Sequence, residues 1–452
     1  MNIEKFKIMY FLGIGGIGMS ALARYCHSLG IEIHGYDLMP TKLTSQLIAE
    51  GMNIHFKEDV SLIPENIDLV VYTPAIPKTN TELIYFKQND FEIVKRSQLL
   101  GILSKNTFTI AIAGTHGKTS IGSMISHLLF HSGRNVTALI GGLMTNYNSN
   151  TIISKSTDYL VLEADEFDRS FLWLEPNISV ISSMDDDHLD VYNESSELKN
   201  AFAEFALRTK KDGLLVYQED LESLNKIAIE KFTYGNATSS DIRVKNVRII
   251  DASFVFDLVF KSNIINDIKM QVPGRHYIEN ALAASAVGFE LGLSNAEIKS
   301  GLETFKGVER RFEYRLKKKN KVFIDDYAHH PKEIISTLNA VKELYSEKKI
   351  CVVFQPHLFS RTRDFAQEFA NSLEIADEII LLDIYPAREL PIKGVSSKII
   401  LDKIKNDFKS ILSNDELIKH IAKCKPEVLI TMGAGDIGLL VGELQKIMEV
   451  ND

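Results

Sequence analysis

The segment Gly114-Thr115-His116-Gly117-Lys118-Thr119 gathers residue types that handle phosphate. It follows the apolar run Thr109–Ala113 and opens a helical pattern. Glycines let backbone N–H groups approach phosphate oxygens, and a helix N-terminus favours negative charge. Lys118 would reach the outer phosphates, and the Thr119 hydroxyl would ligate Mg²⁺. A tight strand-to-helix turn with an incidental lysine is the plainer alternative; the strand–loop–helix context favours phosphate. The spacing is tighter than in the usual P-loop and points to a subset of ATPases.

Two residues fit a metal beside this loop. Glu163 ends the run Tyr159–Glu163, and His188 follows Ile178–Ser182 within Asp185-Asp186-Asp187-His188. Ligands of open parallel sheets gather at the carboxyl ends of strands. A carboxylate suits a hard cation such as Mg²⁺ better than an imidazole does, so His188 fits a second, weaker metal position.

Gly13-Ile14-Gly15-Gly16-Ile17-Gly18 matches G-x-G-x-x-G after the first strand, and Asp37 ends the second strand about 20 residues on. That spacing fits a dinucleotide with Asp37 on a ribose hydroxyl, and so a nicotinamide enzyme. The same physics would hold the pyrophosphate of a nucleotide sugar. Gly433-Ala434-Gly435-Asp436-Ile437-Gly438 repeats the pattern near the C-terminus. Asp436 would repel a phosphate there, so a tight turn is expected instead.

His276 and Asn280 share a helix face after Pro273-Gly274-Arg275, and an Asn amide can read an adenine edge. The pairs Arg310, Arg311 and Arg361, Arg363 supply guanidinium groups suited to phosphate and carboxylate, with solvated surface as the alternative for each. Asp325-Asp326-Tyr327-Ala328-His329-His330-Pro331 clusters titratable groups at a strand end and is a candidate site edge.

Positioning these residues calls for a recurring unit of apolar strand, glycine-rich turn and helix, found near residues 8–28, 108–131 and 427–446. Strands are predicted at Ile8–Leu12, Ile31–Tyr36 and Leu69–Thr73, then at Thr109–Ala113, Tyr159–Glu163 and Ile178–Ser182. A third group covers Val322–Asp326, Ile350–Phe354, Glu378–Leu382 and Val428–Met432. A helix is predicted over Ile278–Leu291, a polar break at Ser104–Asn106, and a basic exit at Glu309-Arg310-Arg311-Phe312. The expectation is an α/β protein of three domains in series. A Rossmann-like N-terminal domain spans 1–105, a central P-loop ATPase α/β domain 106–312, and a C-terminal Rossmann-like α/β domain 313–452.

Length and composition agree. A chain of 452 residues fits two to four domains, and 45% hydrophobic with 25% charged residues is an ordinary globular balance. A net charge of −9 argues against a general nucleic-acid surface. Cys26, Cys351 and Cys424 lie far apart without metal-ligand spacing, which fits a reducing cytoplasm. Lys5 and Lys7 before the apolar run Ile8–Ala23 imitate a signal peptide, but Gly13, Gly15, Gly16 and Gly18 suit a phosphate loop better. No stretch is long and apolar enough to span a membrane.

The order of these motifs resembles the Mur ligases. The residues that carry the resemblance are the loops at 13–18 and 114–119, Glu163-Ala164-Asp165-Glu166, Asp187-His188, and His276 with Asn280. Arg310-Arg311-Phe312, Asp326-Tyr327-Ala328-His329-His330-Pro331 and Gln355-Pro356-His357 continue it along nearly the whole chain. Tyr385-Pro386-Ala387 with Pro391 resembles the branch that adds L-alanine to UDP-N-acetylmuramate. The resemblance implies that Gly15, Gly16, Ile17, Gly18, Asp37 and Arg96 hold the UDP sugar rather than NAD. It implies ATP at Gly114–Thr119 with His276, Asn280, Arg311 and Asp326, and Mg²⁺ at Thr119, Glu163 and His188. It implies that Tyr327, His329 and Arg361 serve the amino acid, and that Lys118, His188, Arg311 and His329 take part in catalysis. The assembly expected is a monomer or a homodimer, with neither nucleic acid nor membrane as partner.

Two departures stand out. Sister ligases carry a carbamylated lysine where this chain has Ala203, which agrees with the alanine-adding branch. That branch also carries basic and aromatic residues where this chain has Leu358 and Phe359, leaving Arg361 and Arg363 for the acceptor carboxylate. The chemistry implied is γ-phosphoryl transfer to the lactyl carboxylate, followed by attack of the alanine amine on the acyl phosphate. His329 or His188 is the expected base, and domain closure would keep water from the intermediate. The rival readings are a ligase for recycled peptide, a nicotinamide oxidoreductase and a non-enzymatic nucleotide-binding module.

Overall fold

A computed structural model describes residues 3–185, 192, 194–387 and 389–450. The chain divides into two compact units. One holds Met1–Lys245, Leu258–Asn266 and Asn280–Leu302; the other holds Asn246–Asp257, Asp267–Glu279 and Glu303–Asp452.

Two sheets lie in the first unit. The N-terminal one is parallel, in the order Asn53–His55, Glu32–Tyr36, Ile8–Leu12, Leu69–Tyr72, Ile93–Lys95. Its central strand Ile8–Leu12 is apolar throughout because helices cover both faces, as in doubly wound sheets. The helices Ile17–Ser28, Lys42–Ala49 and Thr81–Gln88 connect the strands. The second helix starts at a capping box in which Thr41 and Thr44 satisfy each other's backbone N–H groups.

Seven strands of the ten-stranded central sheet lie wholly in this unit, in the order Glu230–Gly235, Leu214–Gln218, Ile178–Ile181, Phe108–Ala113, Tyr159–Glu163, Val136–Met144, Ser149–Ile153. The strand Phe108–Ala113 lies between Ile178–Ile181 and Tyr159–Glu163, all parallel, so their carboxyl ends share one edge. The helix Lys118–His131 leaves from that edge.

One apolar cluster joins both sheets. It extends from Phe11, Met19 and Leu22 through Leu99 and Leu103 to Leu162, Phe171, Phe202 and Tyr217. The buried Arg24 adds a polar bolt: its guanidinium holds Glu50 through three contacts of 2.7–3.0 Å and also donates to Asn150. The Asn150 amide donates in turn to the Ile17 carbonyl at 2.7 Å. A buried arginine is tolerated here because its donors meet acceptors.

The second unit carries a six-stranded sheet in the order Glu313–Lys317, Val322–Asp326, Val428–Met432, Ile350–Phe354, Glu378–Leu381, Lys409–Ile411. Only the edge strand Glu313–Lys317 is antiparallel within it.

Five predicted strands fall on the observed limits: Ile8–Leu12, Tyr159–Glu163, Val322–Asp326, Ile350–Phe354 and Val428–Met432. The expected polar break at Ser104–Asn106 is instead the last turn of the helix Arg96–Asn106. Leu99 and Leu103, one turn apart and both buried, hold that turn in place. The helix predicted from Ile278 starts earlier, over Arg275–Glu290. Three α/β domains in series describe the fold. Among the described residues no helix is long and apolar enough to cross a membrane.

Candidate functional site

The phosphate loop sits where its chemistry needs it. Gly114 turns the chain at φ +137°, and a side chain there would run into the Ser182 hydroxyl. Gly117 takes φ +85° as the N-cap of Lys118–His131, so glycine is required by conformation. Ser183 secures the crest: its Oγ accepts from the His116 N–H at 2.9 Å and meets Thr115 Oγ1 at 2.9 Å. The Thr115 hydroxyl accepts from the Asp185 N–H at 3.1 Å. Asn280 presses its carboxamide oxygen against Gly117, 3.2 Å from where a Cβ would stand.

Lys118 points its ammonium across the loop to the Gly114 carbonyl and to both oxygens of Glu166. Burial works against its charge. Glu166, Asp165 and Glu163 outweigh that and hold its pKa above the ordinary lysine value. Glu166 is wholly buried, and its sequence context alone gives it no role. The signal available was the run Glu163-Ala164-Asp165-Glu166 beyond the strand end; which of its carboxylates meets Lys118 is a matter of folding.

Thr119 is buried in the first turn of the same helix. Glu163 accepts from the Gly141 N–H at 2.6 Å at its strand's carboxyl end. A hydroxyl and a carboxylate are hard oxygen donors, and beside a loop shaped for phosphate they fit Mg²⁺. His188, expected at the metal and in catalysis, lies outside the described residues.

The N-terminal loop uses its glycines differently. Gly13 sits at φ +81° and Gly16 caps the helix Ile17–Ser28. Asp37 accepts from Gly15 N–H at 2.7 Å and Leu38 N–H at 2.8 Å, so its carboxylate braces the loop. A Cβ on Gly15 would stand 2.8 Å from that carboxylate, and one on Gly18 would strike the Arg96 guanidinium. Arg96 also pairs with Asp165 at 3.3 Å. The first loop, Arg96 and the acidic run beside Lys118 are therefore linked within one unit.

In the second unit the Arg310–Phe312 segment is strained. Arg310 and Phe312 take φ of 58° and 48°, conformations uncommon for such side chains. Arg310 is bound to Asp325 at 3.0 Å and to the Gly433 carbonyl at 2.6 Å. Arg311 lies over the Tyr327 ring at 5.2 Å, with Glu333 at 4.0 Å. The Tyr277 hydroxyl donates to the Arg311 carbonyl at 2.8 Å, tying this segment to the helix that carries His276.

Asp326 spends its carboxylate on the N–H groups of Phe312 and Ala328 and on the Thr337 hydroxyl. Burial pushes its pKa up to about 6 despite those donors and Arg311. It holds the loop that presents Tyr327 and His329. His329 places Nδ1 3.0 Å from the Tyr327 carbonyl, a contact that needs the proton on Nδ1 and makes Nε2 the basic nitrogen. Burial drives the pKa of His276 down to about 4, with Glu333 opposing and Arg311 assisting. His276 lines a cavity of about 430 Å³ with Arg275, Glu279, Asn339 and Lys342.

The two remaining arginines part ways. Arg361 lies half-buried on the short helix Phe359–Asp364, whereas Arg363 is exposed and forked onto Asp364 at 2.7 and 3.1 Å. Arg363 is thus a poor candidate for the acceptor carboxylate. Leu358 caps this helix at φ 71°, ψ 137°, a strained conformation for leucine. The Gly433–Gly438 loop is a turn, as expected. Gln355 clamps it by donating to Asp436 at 2.5 Å and accepting from the Ile437 N–H at 2.9 Å.

Comparison with known proteins covers the chain end to end. Residues 8–107 match the model "Mur ligase family, catalytic domain", 112–288 "Mur ligase middle domain", and 310–435 "Mur ligase, glutamate ligase domain". The UDP-N-acetylmuramate–L-alanine ligase of Flavobacterium psychrophilum is 46% identical over 99% of this chain and 100% of its own. That of Parabacteroides distasonis is 44% identical over 99% and 98%. The crystal structure of a UDP-N-acetylmuramate–alanine ligase from Thermotoga maritima superposes with a TM-score of 0.84 at 29% identity, covering 99% of this chain and 100% of that one. A murein peptide ligase from Psychrobacter arcticus shares the fold, with a TM-score of 0.71 at 22% identity over 98% of each chain.

Proposed function

Since the chain belongs to the Mur ligase family, we propose that it joins L-alanine to the lactyl carboxylate of UDP-N-acetylmuramate, converting ATP to ADP and phosphate, in peptidoglycan precursor synthesis. The full-length similarity to ligases of that name supports this reading. The observation that carries it is Lys118, held as a cation at the mouth of the 114–119 loop.

In this reading residues 1–105 bind the UDP sugar, 106–312 bind ATP, and 313–452 serve the amino acid. The Gly15–Gly18 loop, Asp37 and Arg96 take the uridine diphosphate. The backbone of Gly114–Thr119 receives the ATP phosphates, with Asn280 and His276 toward adenine and ribose. Thr119 and Glu163, with His188, would hold Mg²⁺, which when bound neutralises phosphate charge.

A lactyl carboxylate oxygen attacks the γ-phosphorus, the bond to the ADP oxygen breaks, and an acyl phosphate forms. Charge on the moving phosphoryl oxygens is met by Lys118 and Arg311. The alanine amine attacks the acyl carbon, loses a proton to His329 Nε2, and phosphate leaves. Arg361 fixes the alanine carboxylate, while Asp326 keeps the loop of Tyr327 and His329 in place. The test is formation of ADP and the alanyl nucleotide sugar by the purified chain, with a peptide acceptor as the discriminating control.

A further inference from the structure

Folding assembles a second cluster of ligating groups far from the ligase residues in sequence. Glu378 opens the strand Glu378–Leu381, and His420 and Cys424 lie one turn apart at the end of the helix Asn414–Cys424. Their ligand atoms all fall within 4.8 Å of one another. His420 Nε2 is 2.7 Å from Glu378 Oε1. Sequence spacing hides this set, because the third group comes from a neighbouring strand.

We propose that Glu378, His420 and Cys424 form a zinc site, with water as the fourth ligand. A thiolate, an imidazole and a carboxylate together select zinc over magnesium. Zinc bond lengths of about 2.0–2.3 Å need ligand atoms roughly 3.3–3.8 Å apart. To reach that spacing the 2.7 Å contact must open and separations of up to 4.8 Å must close, and Glu378 and His420, each about a third exposed, have room to move. The negative end of the helix dipole also faces the cation.

Cys351 supports the site from behind. It pairs with Glu378 across adjacent strands, is buried, and bonds the Glu378 carboxylate. That is the arrangement by which an outer group orients a ligand. The ion would staple the strand Glu378–Leu381 to the helix Asn414–Cys424.

None of these residues belongs to the proposed ligase site, so the test needs no turnover. The full chain, stripped of metal, kept reduced and supplied with excess Mg²⁺ to fill oxygen-ligand sites, is titrated with Co²⁺. One equivalent should bind with a thiolate-to-cobalt charge-transfer band that Zn²⁺ abolishes. Cys424→Ser should lose the band while melting as a folded protein. Glu378→Gln should keep the band and bind Co²⁺ at least about tenfold more weakly. Absence of the band in the parent, its survival in Cys424→Ser, or unchanged affinity in Glu378→Gln would each overturn the proposal.

Discussion

Lys118 Nζ lies 2.8 and 2.9 Å from the two oxygens of Glu166 and 2.6 Å from the Gly114 carbonyl. The carboxylate is fully buried, so this pair is a structural cation–anion contact as well as the means of holding the lysine. Any phosphate that recruits Lys118 must compete with Glu166.

Lys118→Ala should abolish ligation and leave UDP-sugar binding within about threefold, since the nucleotide sugar is proposed to sit at the other loop. Leaving Glu166 without its cation should also cost about 3 kcal/mol of stability, the lower end for breaking a buried pair. Normal ligation by this variant would remove the 114–119 loop from the ATP site. Glu166→Gln frees the lysine instead, so ATP should raise its Tm more than it raises that of the parent. An equal or smaller ATP shift would show that Glu166 does not compete with phosphate.

Gly18→Ala probes the first loop. The new methyl group displaces only the end of the Arg96 side chain, so stability should change by less than about 1 kcal/mol. Arg96 would lose its place at the helix mouth, and the KM for UDP-N-acetylmuramate should rise about tenfold with ATP KM unchanged. The ligand test is best done on the full chain, because the apolar cluster around Leu99 and Leu103 is completed by Phe171 and Phe202. UDP-N-acetylmuramate should stabilise the full chain and NADH should not. Stabilisation by NADH alone would restore the dehydrogenase reading of Gly13–Gly18 and Asp37.

The arginines of the third domain separate by partner. Arg361→Ala should raise the alanine KM by about ten- to hundred-fold, the loss of a charge-assisted bond of roughly 1.5–3 kcal/mol. Arg363→Ala should change it by less than about threefold, because that guanidinium is already forked onto Asp364. A larger effect from Arg363 than from Arg361 would reverse the assignment.

His276 and Asp326 make opposite contributions to acid stability. His276 has a folded pKa of about 4, below the unfolded value of about 6.5. The unfolded chain binds the extra proton, so this term removes stability as pH falls from 6.5 toward 4. Asp326, near 6 in the fold against about 3.9 unfolded, takes up its proton first in the folded state. Its term adds stability as pH falls from 6 toward 4. His276→Asn should therefore flatten the loss of stability below pH 6.5 by roughly 2–3 kcal/mol. Denaturant melts of parent and variant at pH 7 and pH 4.5 measure it, and an identical pH slope would show that His276 is not buried neutral.

The sequence made visible what is local. Strands such as Ile350–Phe354 and Val428–Met432 are buried on both faces, so their nearly continuous apolar runs mark their limits. The loops at Gly13 and Gly114 were legible because glycine is demanded by conformation. Partnerships across the chain were not legible. Glu166 meets Lys118, Asp364 neutralises Arg363, and Gln355 clamps the 433–438 turn only once the sheets have formed. The hairpin Val136–Met144 with Ser149–Ile153 also escaped, since Gly141, Gly142 and Asn146 interrupt its apolar alternation. The Ser104–Asn106 segment is helical despite its polar composition, because packing overrides local propensity there.

The identity of the acceptor separates an alanine-adding ligase from its rivals. Purified chain is supplied with UDP-N-acetylmuramate, ATP and Mg²⁺, and ADP, phosphate and the nucleotide product are measured with L-alanine, glycine, L-serine or a free peptide that begins with an L-alanine amine. ADP, phosphate and UDP-N-acetylmuramoyl-alanine should form in equal amounts, with L-alanine giving the highest kcat/KM and the peptide giving no product. A peptide that outperforms L-alanine, or nucleotide-sugar turnover without ADP formation, would contradict the alanine-adding assignment.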